Sequence, residues 1–245
     1  MGTSGCATRA VDAGVFRGVG GAEVRRLAVE AVARGDVRLR DGWARAFALA
    51  AAATAAAGRQ GGVLSTSVVS VNWSRRFVCE CLRAAAVAAQ DAGGDDVLWA
   101  VRACEVFANE LPDVVAEGAG QNQEAAGLEG KALELRTSDD KLRQVLRIRE
   151  RDSGGESTTR TVYVGDSATD LECLVAADVG VVVRDEDLGG GQREFKETCH
   201  RIGIKVRRLT EWSAFDERRG EGEFPTSLWS IGDFHELSEW LERVV

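Results

Sequence analysis

The chain lacks a surplus of positive charge, and this absence excludes partners that carry many phosphates. Its 245 residues contain 31 lysines and arginines against 39 aspartates and glutamates, which gives a formal net charge of −8. Such a chain has no basic excess with which to neutralise a nucleic-acid backbone or an anionic bilayer. We therefore expect neither a nucleic acid nor a membrane surface as its partner.

Long apolar runs are also absent. No apolar stretch approaches the ~20 residues that a membrane-spanning helix needs. Residues 1–14 contain no apolar core of the kind that signal peptides have. They are small, polar and glycine-containing, so we expect a flexible N-terminus. The two absences together predict a cytoplasmic protein.

Histidine is scarce and cysteine is scattered, which excludes the common zinc sites. The two histidines stand apart in the sequence, and of the six cysteines only Cys79 and Cys81 are close. This spacing within a helix points the two side chains to different faces. No second Cys pair or Cys/His cluster completes a set of four ligands. We expect free thiols in a reducing compartment.

What remains is an alternation of two kinds of apolar segment. Runs of β-branched residues are typical of buried strands, and apolar residues at helical spacing predict amphipathic helices. The alternation indicates an α/β fold with a parallel sheet flanked by helices. The predicted strands are 63–71, 104–111, 132–135, 162–164, 179–183, 204–209 and 228–231. The predicted helices are 22–34, 41–57, 74–92, 137–150, 195–202 and the segment after Asp233. The predicted loops are 111–130, 149–160, 185–191 and 218–223.

The stretch Thr161–Arg184 combines a strand, an acidic loop, a short helix and a second strand. Asp166 and Asp170 follow the first strand at its carboxyl end, where open α/β sheets bind ligands. Two carboxylates in such a loop are hard oxygen ligands that suit Mg²⁺. The alternative is that both aspartates only cap and solubilise a turn, with Ser167 or Thr169 capping the helix. The spacing alone leaves both interpretations open.

Polar residues also follow another predicted strand and begin another predicted helix. Ser70 and Asn72 lie at the end of the strand over 63–71. Lys141 lies in the first turn of the helix that opens at 137–141, for which Ser138 or Asp139 is the expected cap. A lysine there opposes the helix dipole, which indicates a role beyond the helix itself. The alternative is an ordinary solvated lysine.

Taken together, these segments resemble three motifs of the haloacid dehalogenase (HAD) superfamily of phosphatases. VVSVNWS, with Ser70, resembles the strand whose Ser or Thr binds the phosphoryl group. DDKL, with Lys141, resembles the motif whose lysine balances the charge of nucleophile and phosphate. VYVGDSATDLECL, with Asp166 and Asp170, resembles the motif whose acids hold Mg²⁺. The chain is similar to fungal HAD-like hydrolases and to the HAD phosphatase domain of some plant thiamin-salvage enzymes.

This resemblance implies a fold, a reaction and a set of roles. The fold would be a HAD-like Rossmannoid parallel sheet at 61–245 with a partial helical cap at 15–60. The reaction would be Mg²⁺-dependent hydrolysis of a small-molecule phosphate ester, of which thiamin monophosphate is one example. Ser70, Asn72 and Lys141 would bind the phosphoryl group, with Ser70 and Lys141 assisting catalysis, while Asp166 and Asp170 would hold the magnesium ion.

One motif of the superfamily is missing from this chain. A hydrophobic strand followed by D-x-D-x-T normally supplies the nucleophilic aspartate and the acid/base aspartate, and no such sequence occurs here. Asp12, Asp36 and Asp41 do not follow an apolar strand. We expect a truncated, inactive product of a HAD phosphatase gene, because the other three motifs keep their functional residues Ser70, Lys141, Asp166 and Asp170. The alternative is a divergent, non-catalytic protein that binds phosphate and Mg²⁺.

The missing motif also removes a strand from the expected sheet. In HAD sheets this strand is central, and here it would lie between the strands 63–71 and 162–164. Its absence leaves two strands with an unpaired edge, unless they close up or another segment fills the gap.

Overall fold

The structure, a computed structural model, describes residues 13–14, 16–59, 65–93, 95–110, 135–153, 160–185, 190–213 and 227–244. All strand pairs in this part of the chain are parallel, and eight α-helices accompany the strands. The chain is therefore an α/β protein with parallel sheets, as the sequence predicts. None of the described helices is long and apolar enough to cross a membrane.

The elements follow one another in this order. The helices are α1 Gly21–Arg34, α2 Trp43–Arg59, α3 Arg75–Gly93, α4 Asp95–Ala103, α5 Ser138–Ser153, α6 Leu171–Ala176, α7 Gly190–Arg201 and α8 Phe234–Val244. The strands are β1 Ser67–Val69, β2 Glu105–Phe107, β3 Val162–Gly165, β4 Val179–Val183, β5 Lys205–Arg208 and β6 Ser227–Ile231. They belong to two compact units, Met1–Leu39 with Thr66–Lys141 (the first unit) and Arg40–Ser65 with Leu142–Val245 (the second unit).

The first unit contains a two-stranded parallel sheet and a packed set of helices. β1 pairs with β2, so that Ser67 lies opposite Glu105. Helix α1 packs against α3 and buries Val24 and Ala28, while α3 also packs against α4. Gly35 ends α1 as predicted, since its left-handed backbone (φ 74°) lets its N–H reach the last helical carbonyls.

The second unit is organised around a four-stranded parallel sheet in the order β3-β4-β6-β5. All five residues of β4 are buried, as the apolar run predicts for a strand covered on both faces. One face packs against α8 and Ala46 of α2, and the other against α6 and α7. Gly180 in β4 is required for the approach of α6, because a Cβ atom there would lie 2.2 Å from the Leu174 carbonyl oxygen.

Among the described strands, β1 pairs only with β2 and β3 pairs only with β4, so both lie at the edge of their own sheet. Strand β5 also lies at an edge, since among these strands it pairs with β6 alone, and it carries Lys205, Arg207 and Arg208. Charged residues of this kind discourage pairing with a further strand.

Both boundaries of helix α2 differ from the predicted range 41–57. Helix α2 begins at Trp43 rather than Asp41, because Asp41 and Gly42 first turn along the start of α8. The carbonyl of Asp41 accepts a hydrogen bond from Phe234 N at 2.8 Å, and Gly42 has a positive φ of 79°. Helix α2 also continues through Gly58, whereas the sequence predicts that the helix ends at residue 57. Glycine costs an exposed helix only about 1 kcal/mol relative to alanine, and tertiary context overrides that preference.

Helix α5 has a different cap and a later end. Its cap is Thr137, one residue before the predicted Ser138, because Thr137 Oγ1 accepts a hydrogen bond from Asp140 N at 3.1 Å. Asp140 Oδ2 in turn accepts from Thr137 N at 3.0 Å, so that the two residues form a reciprocal capping arrangement. The helix ends at Ser153, inside the loop predicted for 149–160.

Several predicted segments lie outside the described residues. These include the flexible N-terminus up to residue 12, the first two residues of the strand predicted for 63–71, the loop and short strand over 111–134, and the charged segment 218–223. Among the described elements, Asp233 caps α8 as predicted. Its Oδ1 accepts hydrogen bonds from His235 N at 2.9 Å and from Glu236 N at 3.2 Å.

Candidate functional site

Ser70 lies directly after β1, in a loop that is fixed by hydrogen bonds within the first unit. Its backbone N–H donates to the carbonyl of Phe107 at 2.9 Å and so extends the pairing of β1 with β2. Its Oγ accepts a hydrogen bond from Asn72 N at 3.1 Å, and Asn72 Oδ1 accepts from Ser74 N at 3.1 Å. Two successive side chain-to-backbone turns therefore set the course of this loop.

The N-terminus of helix α3, which follows the loop, is already occupied by a carboxylate of the protein. Glu110 Oε2 accepts a hydrogen bond from Arg76 N at 2.9 Å, and Glu110 Oε1 accepts from Ser74 Oγ at 2.6 Å. Ser74 Oγ also accepts from Phe77 N at 3.1 Å. These acceptors satisfy the free N–H groups of the first turn of α3. The groups of this loop that remain as candidates for binding an anion are therefore the side chains of Ser70 and Asn72.

Asn109 joins the Ser70 loop to the segment that leads into α5. Its Nδ2 donates to the carbonyls of Asn72 at 3.0 Å and Leu135 at 2.9 Å, with a longer contact to Val71 O at 3.3 Å. Its Oδ1 accepts from Leu135 N at 2.9 Å. Asn109 was not among the site residues predicted from the sequence. The available signal was its position just after the strand-like part of the segment 104–111.

Lys141 is buried in the first turn of α5. Its exposed fraction is 6%, and its N–H donates to the carbonyl of the cap residue Thr137 at 3.2 Å. The alternative of an ordinary solvated lysine is therefore wrong. Burial of an ammonium group is costly unless anionic or polar groups surround it, so this position selects for negative charge nearby.

Asp166 lies at the carboxyl end of β3, in the second unit, and carries an accessible carboxylate. Half of its side chain is exposed (51%), and its Oδ2 lies 3.0 Å from Nη2 of Arg40. Arg40 also places Nη1 2.5 Å from Oδ1 of Asp185. The hydrogen bond with Asp185, and to a smaller extent that with Asp166, raises the pKa of the Arg40 guanidinium above its ordinary value against the opposing effect of burial.

Asp185 follows β4 much as Asp166 follows β3. Gln192 holds it from two sides, since Asp185 N donates to Gln192 Oε1 at 3.1 Å and Gln192 Nε2 donates to Asp185 Oδ2 at 3.1 Å. Asp185 was predicted only as part of a loop. The rule that singled out Asp166, a polar residue at the carboxyl end of a buried parallel strand, also applies to Asp185.

Asp170 is buried (5% exposed) and both of its carboxylate oxygens are engaged within its own loop. Oδ1 accepts from the Tyr163 hydroxyl at 2.8 Å, and Oδ2 accepts from Ser167 N at 3.2 Å and Ser167 Oγ at 2.6 Å. Burial, and next the charge of Asp170, raise the pKa of Tyr163 well above its ordinary value. Gly165 allows this packing, because a Cβ atom there would lie 2.6 Å from Asp170 Cβ.

The two predicted magnesium ligands thus have different environments. Asp166 exposes its carboxylate, whereas Asp170 uses both oxygens to hold the loop that carries Asp166. Protein sites for Mg²⁺ commonly use one or two carboxylates and complete the shell with water and phosphate oxygens, so Asp166 fits such an ion as a direct ligand. Within the described residues no group of three or more His, Cys, Asp or Glu side chains can hold a metal ion. Magnesium binding stays a prediction.

The candidate residues therefore occur in two sets. Ser70, Asn72 and Lys141 belong to the first unit, where Asn109 links their chain segments. Asp166 and Asp170 belong to one loop of the second unit. Comparison of the chain with models of known protein families, with curated proteins and with solved structures finds no match.

Proposed function

We propose that this chain carries the phosphate-binding and magnesium-binding residues of a HAD-like phosphatase. As given, it binds a small-molecule phosphate ester without hydrolysing it. The observation that supports this most strongly is the buried Lys141, whose segment Asn109 ties to the Ser70 loop. A buried lysine in a segment that is tied to a fixed polar loop is a candidate for binding an anion.

The roles follow from the chemistry of each residue. Lys141 supplies a positive charge for the phosphoryl oxygens, and the Ser70 hydroxyl and the Asn72 amide offer neutral donors. Asp166 is the proposed ligand of Mg²⁺, an ion that when bound neutralises negative charge. Asp170 is a positioning residue, because it orients the Asp166 loop through Ser167 and Tyr163.

Hydrolysis by the superfamily's route needs a nucleophilic aspartate and an acid/base aspartate. No D-x-D-x-T sequence occurs in these 245 residues, so the covalent step has no nucleophile of that kind. We therefore propose binding without turnover in the cytoplasm, with ligands such as thiamin monophosphate. The free state of Cys79, Cys81, Cys104, Cys173 and Cys199 supports a reducing compartment.

Calorimetry with the full chain tests this proposal. Thiamin monophosphate and inorganic phosphate are titrated, with and without Mg²⁺, into the wild type, Lys141→Gln and Lys196→Gln. Lys196 is the matched control, since it is an exposed helical lysine and its loss changes the net charge equally. We expect Lys141→Gln to weaken binding by at least about tenfold, the usual scale for losing a hydrogen bond to a charged group, and Lys196→Gln to leave binding unchanged. Equal binding by both variants, each with a cooperative unfolding transition, contradicts the proposal.

A further inference from the structure

One guanidinium joins the acidic residues that follow the two neighbouring strands β3 and β4. Arg40 Nη2 lies 3.0 Å from Asp166 Oδ2, and Arg40 Nη1 lies 2.5 Å from Asp185 Oδ1. We call this set of three side chains the Arg40 bridge. Because β3 and β4 pair in parallel, their carboxyl ends lie at the same end of the sheet. The Arg40 bridge joins the residues that follow the two strands there.

The backbone next to Arg40 is held against the start of α8. The carbonyl of Asp41 accepts a hydrogen bond from Phe234 N at 2.8 Å. Gly42 has a φ of 79°, and a Cβ atom on it would lie 2.3 Å from His235 N. No other residue fits at position 42 without a backbone shift. Arg40 is therefore delivered to the sheet edge by a fixed turn, and only a third of its side chain is exposed (33%).

The two ends of the Arg40 bridge are held unequally. Asp185 is fixed by Gln192 and makes the shorter contact with Arg40, and it is the larger cause of the raised pKa of the guanidinium. Asp166 makes the longer contact with Arg40, and the two carboxylates are about equally exposed (51% for Asp166 and 49% for Asp185). When the bridge opens, Arg40 is therefore expected to stay with Asp185 and to release Asp166.

We propose that Arg40 is an internal cation that competes with a divalent metal ion for the Asp166 carboxylate. This inference rests on the proposed function, in which Asp166 binds Mg²⁺. A guanidinium on Asp166 Oδ2 neutralises the charge that attracts the metal, and it repels a second cation a few ångströms away. The metal gains Asp166 only after Arg40 has withdrawn toward Asp185. The Arg40 bridge thus sets the metal affinity of this loop.

Calorimetric titration of the full chain with MgCl₂ alone, without any phosphate ester, tests the proposal. The variants are wild type, Arg40→Gln, Arg45→Gln and Arg40→Gln combined with Asp166→Asn. Arg45 is the matched control, because it makes a comparable ion pair with Glu242 at 2.6 Å in the same unit and its loss changes the net charge equally. We expect Arg40→Gln to bind Mg²⁺ about tenfold more tightly than wild type, on the scale of one nearby charge in a partly exposed site. Arg45→Gln is expected to stay within about twofold of wild type, since its lost charge is screened by salt.

The outcomes separate this inference from the proposed function. If Arg40→Gln and Arg45→Gln bind Mg²⁺ equally while the double variant Arg40→Gln with Asp166→Asn loses binding, Asp166 is the metal ligand and the competition by Arg40 is overturned. If no variant binds Mg²⁺, or if the double variant binds it as tightly as Arg40→Gln, both the competition and the proposed metal site are overturned.

A second measurement does not depend on the folding of Arg40→Gln. Arg40→Lys keeps the charge but replaces the planar group with a single ammonium that cannot contact both carboxylates in the same way. Comparison of the ¹H–¹⁵N NMR spectra of this variant and the wild type also assigns the Arg40 side-chain Nε–Hε signal, which only the wild type has. Titration of the wild type with Mg²⁺ is expected to shift this signal as Arg40 leaves Asp166. A signal that stays unmoved at saturating Mg²⁺ overturns the proposal.

Discussion

Asn109 is predicted to hold together the two segments of the first unit that carry Ser70 and Lys141, and Asn109→Ala tests that role. The side chain makes three hydrogen bonds of 2.9–3.0 Å, to Asn72 O, Leu135 O and Leu135 N. At about 1 kcal/mol net for each bond, the substitution is expected to lower the free energy of unfolding of the first unit by about 3 kcal/mol. The loss includes the cost of leaving both backbone groups of the buried Leu135 without their partner.

The assay is hydrogen exchange of the Leu135 amide together with urea unfolding. The local readout matters because a chain with two units need not unfold in one step. Asn109→Asp is the companion variant, since it keeps the shape and the acceptor for Leu135 N but turns a donor into a second acceptor that faces two carbonyls. It is expected to be at least as unstable as the alanine variant. A change below about 0.5 kcal/mol in both variants, which is the range of ordinary surface substitutions, refutes the argument.

Two further predictions concern the packing of the second unit's sheet and the buried thiols. Gly180→Ala is expected to cost about 3 kcal/mol in thermal or urea unfolding, because its Cβ would lie 2.2 Å from the Leu174 carbonyl oxygen. Gly58→Ala, with no atom within 4 Å of the new Cβ, is the control and is expected to be neutral or stabilising; similar losses in both variants would contradict this account. Burial raises the pKa of Cys81 to about 11 and that of Cys104 to about 12, from 9.0. The unfolded chain therefore loses these protons first, and the free energy of unfolding is expected to fall as pH rises from 9 to 11. Urea unfolding across this range checks it, and the argument fails if Cys81→Ala combined with Cys104→Ala leaves the slope against pH unchanged.

Strand β4 of the second unit was predictable because burial on both faces leaves a direct mark in the sequence. Residues 179–183 are apolar and β-branched apart from one glycine, and all of them are buried in β4. The helix ends were less predictable, since they depend on contacts with distant residues. Helix α2 starts late because Asp41 and Gly42 turn along α8, which lies nearly 200 residues later in the sequence.

The candidate site was predictable only in part. Asp166 was found because it follows a strand that the sequence predicts, and that rule is local. The Arg40 bridge was not found, because the pairing of Arg40 with Asp166 joins residues 126 positions apart and leaves no periodic signal. The burial of Lys141 was not predictable either, since its helix turn is otherwise polar. The hydrogen bonds of Asp170 to Tyr163 and Ser167 show that an aspartate of the predicted metal-binding pair can instead stabilise its own loop.

The most direct test of the central claim is a ³¹P NMR titration of thiamin monophosphate with the full chain and Mg²⁺. The account predicts a broadened ester signal, no growth of an inorganic phosphate signal over hours, and a sharp ester signal when Lys141→Gln replaces the wild type. Steady release of inorganic phosphate by the wild type would contradict the claim that the chain lacks a nucleophile. Equal broadening with Lys141→Gln would contradict the claim that Lys141 binds the phosphoryl group.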